Sequence, residues 1–248
     1  MWEELEQVGL KSYYKDDAVF IINDDCRQVL PLIPSGYIDL CLTDPPYGMR
    51  FRSNHRQTKH DFIVGDDHLP LDLINIAISK ALRASYIFCN WNNLSRMPPP
   101  KSVLVWIKNN WSMGDLRHEH GRQWEAICFY PAAQHEFINR IPDVITTART
   151  NNNKHPTEKP VSLMKKLIQC NVGNTILDPF MGSGTTLVAA QALGRRCIGI
   201  EIEERYCQVA VERLRQLSLP LTIPMSHDKL NIVKQGGLFN GLSTDRGD

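Results

Sequence analysis

The sequence predicts an α/β protein: a doubly wound, mostly parallel seven-stranded sheet with helices on both faces. Three observations lead there. Seven short apolar runs alternate with stretches of helical spacing, as in a sheet covered on both faces. From Thr175 to Leu217 the chain reads strand, turn, helix, strand, helix without interruption. The run Ile38-Asp39-Leu40-Cys41-Leu42-Thr43 ends in Asp44-Pro45-Pro46-Tyr47. Prolines stop sheet pairing, so Asp44 and Tyr47 are set at a strand's carboxyl end, where open α/β sheets bind their ligands.

The elements follow in order. Residues 1–17 read as a loose, polar lead-in. Val19 to Ile22 is a strand, and Cys26 to Leu32 a short helix stopped by Pro34-Ser35-Gly36. After the strand ending at Asp44, Gly48 to His60 has no periodicity and no acid. Leu73, Ile76, Ala77 and Leu82 give helical spacing over Leu69 to Leu82. Ser85 to Cys89 is a strand, Met97-Pro98-Pro99-Pro100 a break, and Val103 to Ile107 a strand. Trp124 to Tyr130 is a further strand, flanked by irregular stretches at Lys108 to Arg122 and 131–155. Pro160 to Cys170 is helical. Thr175 to Asp178 is a strand, Pro179 to Gly184 a turn, and Thr185 to Leu193 a small-residue helix ended by Gly194. Cys197 to Glu201 is the last strand, and Glu203 to Leu217 an amphipathic helix.

At 248 residues and 42% hydrophobic content, one core with embellishments is expected. Residues 1–217 form that domain, with loops at 48–68, 108–122 and 131–154, and residues 218–248 a flexible tail. The net charge of +1 implies neither nucleic acid nor membrane by itself. No apolar run approaches the roughly 18 residues of a membrane helix, and Met1-Trp2-Glu3-Glu4 is acidic where a signal peptide is basic. A soluble, cytoplasmic protein is expected. The seven cysteines are scattered without a Cys-x-x-Cys, which suits buried free thiols. His118-Glu119-His120 has poor spacing for a metal site, and no metal is expected.

Two places carry chemistry. Gly182-x-Gly184 follows a strand and opens a helix; such glycines either let backbone approach a ligand or tighten a strand–helix joint. Glu201 ends the next strand, where a carboxylate suits a ribose diol. The spacing differs from G-x-G-x-x-G and no lysine follows Gly184, which disfavours a dinucleotide fingerprint and a phosphate loop. The other place is the Asp44 corner.

Taken together, Asp44-Pro45-Pro46-Tyr47 and Asp178-Pro179-Phe180-Met181-Gly182-Ser183-Gly184-Thr185-Thr186 strongly resemble the S-adenosylmethionine-dependent DNA amino-methyltransferases. The order, with the DPPY segment first, is that family's permuted beta group. His155-Pro156-Thr157-Glu158-Lys159-Pro160 and Ile21-Ile22-Asn23-Asp24-Asp25 match two further segments of the group. The resemblance implies a Rossmann-like methyltransferase fold and S-adenosylmethionine as cofactor. It implies that Asp178, Phe180, Gly182 and Gly184 line the cofactor pocket, that Thr185 and Lys159 hold the methionine carboxylate, and that Glu201 takes the ribose hydroxyls and Asp25 the adenine edge. The catalytic set is Asp44, Pro45, Pro46 and Tyr47. Asp44 and the Pro45 carbonyl would accept the two N–H of an exocyclic amino group, localising its lone pair, while Tyr47 stacks on the base.

Such a base has to be turned out of double-stranded DNA. Arg50, Phe51, Arg52, Arg56 and Lys59 directly follow the corner and are expected to contact DNA. An aspartate at position 44 is commoner for adenine N6 than for cytosine N4, which is the alternative; a non-catalytic DNA-binding subunit is a third reading. The resemblance further implies bacterial or phage origin and a restriction–modification setting, and homodimers are common in the group. Gln235-Gly236-Gly237-Leu238-Phe239 resembles peptides that bind the replication sliding clamp, beside a chance match in a polar tail.

Overall fold

The computed structural model describes residues 2–48, 67–112, 117, 118, 120–150 and 158–218. Its centre is a sheet whose strands, in chain order, are β1 Tyr14–Lys15, β2 Val19–Asn23, β3 Ile38–Thr43, β4 Ala81–Cys89, β5 Ser102–Ser112, β6 Arg122–Pro131, β7 Val144–Thr146, β8 Thr175–Asp178 and β9 Arg196–Glu201. In space the order is β1-β2-β9-β8-β3-β4-β6-β5-β7. The five strands from β2 to β4 run parallel, and β1 pairs antiparallel at one edge. β6 is antiparallel to both β4 and β5, and β7 is parallel to β5.

The seven expected strands are present, and among the described residues the sheet has nine. The additional two are the outermost, β1 and β7, of two and three residues. Their backbone ladders hold them, and a run that short has no side-chain period to read. The lead-in is ordered as well: α1 (Glu3–Gln7) buries Leu5, and the Trp2 ring sits 5.5 Å from that of Phe20. Part of the stretch expected to be irregular between Lys108 and Arg122 belongs to the β5–β6 hairpin.

Alternate residues of the parallel strands enter two separate cores. Val19, Ile21, Leu40, Leu42 and Ile176 face α4 (Val161–Gln169), α5 (Thr185–Gln191) and α6 (Glu204–Ser218). Phe20, Ile22, Cys41, Leu177 and Ile198 face α1, α2 (Cys26–Leu32) and α3 (Leu71–Lys80). Both sets are apolar because both faces are covered, which is why these strands read as continuous apolar runs. All seven cysteines are free and buried. Among the described residues no helix is long and apolar enough to cross a membrane.

The connections place the site. From β3 the chain crosses through α3 to β4 on one side; from β8 it crosses through α5 to β9 on the other. β3 and β8 are therefore neighbours at the point where the winding reverses, paired through Leu40↔Ile176 and Cys41↔Leu177. A crevice opens beyond the carboxyl ends at such a switch point, and Asp44 and Asp178 stand at those two ends.

Candidate active site

One hydrogen bond joins the two strand ends. Thr43 Oγ1 donates to Asp178 Oδ1 at 2.6 Å, and the Phe180 N–H donates to the same oxygen at 3.2 Å. Asp178 is 3% exposed, and burial pushes its carboxyl up to about 6. The first residue of the glycine-turn segment is thus tied to the residue just before Asp44.

On the β3 side, both oxygens of Asp44 are engaged. Oδ1 accepts from the Tyr47 hydroxyl at 2.5 Å, and Oδ2 accepts from Lys159 Nζ. Asn93, buried on a 3-10 helix (Trp91–Arg96), donates to the Tyr47 carbonyl at 2.8 Å and fixes the turn after the prolines. Lys159 is 5% exposed; its Nζ lies 5.1 Å from the Phe88 ring centroid and 5.9 Å from that of Tyr47, within cation–π range. The same Nζ is 3.3 Å from Glu125 Oε2, while Glu125 Oε1 accepts from Lys108 Nζ at 2.5 Å. The result is an alternating row of carboxylate and ammonium: Asp44, Lys159, Glu125, Lys108.

Burial sets the pKa of each group in this row against its neighbours. For Lys159, burial pushes down, but Asp44 and Glu125 outweigh it and keep the ammonium charged. For Glu125, burial pushes up, and the two lysines outweigh it, so its carboxyl falls below the usual range. For Asp44, burial together with the Glu125 charge raises the carboxyl against the pull of Lys159. Burial also lifts the Tyr47 hydroxyl far above its ordinary value, so it stays a donor.

On the β8 side the turn is built around Glu201. Gly182, at φ +51°, donates its N–H to Glu201 Oε2 at 2.9 Å, and the Glu203 N–H donates to Oε1 at 2.9 Å. Each oxygen keeps a further lone pair, so the carboxylate is oriented yet able to accept from a diol. Burial raises Glu201 to about 7. Gly184, at φ +78°, allows a different close approach: a Cβ there would lie 2.7 Å from the Ala210 Cβ of α6. Gly182 ties the turn to Glu201, and Gly184 seats a helix behind it. Arg213 of α6 completes that seat, donating to the Ser183 carbonyl at 2.8 Å, Ser183 Oγ at 2.9 Å and Thr185 Oγ1 at 3.2 Å, and pairing with Glu158 at 3.0 Å.

The family described as DNA methylase matches residues 90–212. The chain is 52% identical to the type II methyltransferase M2.DpnII of Streptococcus pneumoniae, over 82% of this chain and 92% of that protein. The chain belongs to the DNA methylase family. This methylase is also 25% identical to the DNA adenine methyltransferase YhdJ of Escherichia coli K12, over 81% of this chain and 84% of that protein. Its fold matches the crystal structure of an M1.HpyAVI–SAM complex with a TM-score of 0.61 at 25% identity, covering 79% of this chain and all of that one. S-adenosylmethionine is the cofactor of the methylase, and the oriented Glu201 carboxylate beside the glycine turn fits its ribose.

Asp44, Asp178 and Glu201 stand at the carboxyl ends of β3, β8 and β9, with Tyr47, Lys159 and Gly182 joined to them by hydrogen bonds. Lys159 sits on Asp44, with Glu125 as a second carboxylate neighbour at 3.3 Å. The Thr185 hydroxyl, 6% exposed, accepts from Arg213. Asp25 stands beyond the end of β2, beside β9, where it caps α2 by accepting from the Arg27 N–H at 2.9 Å and pairs with the Arg27 guanidinium at 2.7 Å. Arg50, Phe51, Arg52, Arg56 and Lys59 lie outside the described residues, as do Gln235 to Phe239. Sequence reasoning missed Glu125, Lys108, Asn93, Thr43 and Arg213. Two carried a signal: Glu125 interrupts an apolar strand, and Arg213 falls on the buried stripe Ala210, Val211, Leu214 of α6.

Proposed function

We propose that this methylase modifies the exocyclic N6 of adenine in DNA, as one member of a restriction–modification system. The observation that carries this is the joint between the Asp44 corner and the Glu201 turn through Thr43 and Asp178. It supports the reading because it ties the corner that would accept an amino group to the turn whose carboxylate would hold the cofactor. The adenine methyltransferase among its relatives supports adenine over cytosine.

When bound, S-adenosylmethionine supplies an electrophilic methyl group on a sulfonium. The chain's own residues do the rest. Glu201 orients the ribose, and Gly182 keeps backbone out of the way. Asp44 accepts one N–H of the target amino group and the Pro45 carbonyl accepts the other. Together they draw the nitrogen lone pair out of the ring and toward the donor. As the nitrogen gains positive charge, the Asp44 carboxylate stabilises it in a site largely shielded from water. Tyr47, steered by Asn93, offers a stacking face worth about 1–3 kcal/mol. Arg50, Arg52, Arg56 and Lys59, which follow the corner directly in the sequence, would take phosphates and give salt-dependent binding, and Phe51 would fill the vacated stack.

The test is incubation with labelled S-adenosylmethionine and plasmid DNA, digestion to nucleosides, and mapping of the modified positions. N6-methyladenine is expected. N4-methylcytosine would replace adenine by the alternative, and cofactor binding without transfer to any DNA would mark a non-catalytic subunit. Asp44→Ala is expected to keep cofactor affinity and lose transfer by about 100-fold or more; undiminished transfer refutes the role of Asp44.

A further inference from the structure

Lys159 now holds Asp44 Oδ2, so a target amino group that reaches that oxygen along the same direction displaces the ammonium. The row of charges shows where the ammonium goes. Glu125 Oε2 lies 3.3 Å from Lys159 Nζ, yet it is buried and, among the described residues, receives no hydrogen bond. Glu125 is held at its other oxygen by Lys108, itself 7% exposed, and the two lysines keep it ionised. An ionised, immobilised carboxylate whose second oxygen already lies within ion-pair distance of a lysine can take a full hydrogen bond from it.

We propose that Glu125 is a positioning residue that takes the Lys159 ammonium from Asp44 as the target amino group arrives. The proposal rests on the reading of Asp44 as the amino-group acceptor. The transfer is short: rotation about the last torsions of Lys159 turns Nζ from one carboxylate to the other. It is also cheap, because the ammonium stays buried between the same neighbours and the charge of the cluster does not change. Withdrawal of Lys159 to water would instead leave two buried carboxylates facing one ammonium. The incoming amino group takes the place the lysine N–H had, so Asp44 never stands unpaired. Lys108 makes the device work by preventing Glu125 from following Lys159 back toward Asp44.

The test uses the full-length protein and a duplex carrying 2-aminopurine next to the mapped target adenine, where its fluorescence rises when the neighbouring adenine leaves the stack. Glu125→Gln keeps the shape and an acceptor but removes the charge that attracts Lys159. It should weaken base capture and kcat/KM for DNA by about 10- to 100-fold. The affinity for S-adenosylhomocysteine should stay close to that of the unsubstituted protein, while the melting temperature falls because Lys108 loses a buried partner. Should Glu125→Gln fail to fold because Lys108 is stranded, Glu125→Gln/Lys108→Met removes both charges and should show the same loss of capture. Unchanged capture overturns the proposal. So does a loss matched by an equal loss of S-adenosylhomocysteine affinity, which marks a merely structural role. Asp44→Ala separates the two ideas. If it still methylates, the reading of Asp44 fails; if it is dead while Glu125→Gln behaves normally, only the role of Glu125 fails.

Discussion

Gly184→Ala isolates the seat of the glycine turn. Gly184 has φ +78°, and an alanine held in that left-handed conformation costs about 1–2 kcal/mol. Its Cβ would come within 2.7 Å of the Ala210 Cβ, closer than real Cβ atoms approach. Neither atom ends a flexible side chain, so helix α6 itself must shift. Such overpacking costs a further 1–3 kcal/mol or so. The expected loss is about 2–5 kcal/mol, equivalent for a domain of this size to a melting temperature lower by about 5–15 °C. Calorimetry reads it directly. Ala210→Gly tests the mechanism. Alone it costs about 1 kcal/mol as a helix glycine. Combined with Gly184→Ala it should restore the steric part and leave the conformational part, a favourable coupling of about 1–3 kcal/mol. A Gly184→Ala protein that melts within about a degree of the original, or a double substitution with no coupling, would refute the assignment of Gly184 to helix seating.

Glu201 should make cofactor binding pH-dependent. With its carboxyl raised from 4.5 to about 7, the ionised form that accepts from ribose hydroxyls gains ground between pH 6 and 8. Titration calorimetry should show affinity rising over that range and levelling above it, and Glu201→Gln should flatten the curve; a flat curve in the original protein would refute the idea. The stability sign is opposite. A carboxyl whose folded pKa is raised contributes most below its unfolded value and loses that contribution as pH climbs through about 7. Glu201→Gln should therefore gain melting temperature, relative to the original, on going from pH 5 to pH 8. Arg213→Leu leaves Glu158 without its partner and Ser183 and Thr185 without a donor, and should cost about 3–5 kcal/mol in urea unfolding; a loss below about 1 kcal/mol would mean that the network contributes little.

The fold was legible because its centre is parallel. β2, β3, β8 and β9 are apolar on both faces, so Val19 to Ile22 and Thr175 to Asp178 stand out as short runs ended by turn residues. The edges were illegible for the complementary reason: Tyr14–Lys15 and Val144–Thr146 are held by backbone hydrogen bonds that leave no mark on side-chain choice. α3 was read two residues too long at each end because Ala81 and Leu82, apolar like the helix before them, already belong to β4. Asp44, Tyr47, Gly182 and Glu201 were legible as types suited to their chemistry at strand ends. The partners that fix them were not. Thr43 and Asn93 act through one hydrogen bond each, across 135 and 46 residues of chain. Lys159 could be assigned to the site but not to Asp44, since its partner depends on Glu125 reaching the same point from β6.

The 135 residues between Thr43 and Asp178 also set a timetable for synthesis. β3 can pair with β4 as soon as both have left the ribosome, but its other edge belongs to β8. At about 5–20 residues per second, that edge waits some ten seconds for its partner. The nascent chain therefore carries an open, apolar strand at the middle of its future sheet, the kind of edge that invites pairing with a stranger. The same delay is a safeguard. Half of the catalytic corner exists early, but Glu201 and the turn it steadies are among the last elements made. A chain halted before Glu201 has the Asp44 corner without the carboxylate that steadies the glycine turn.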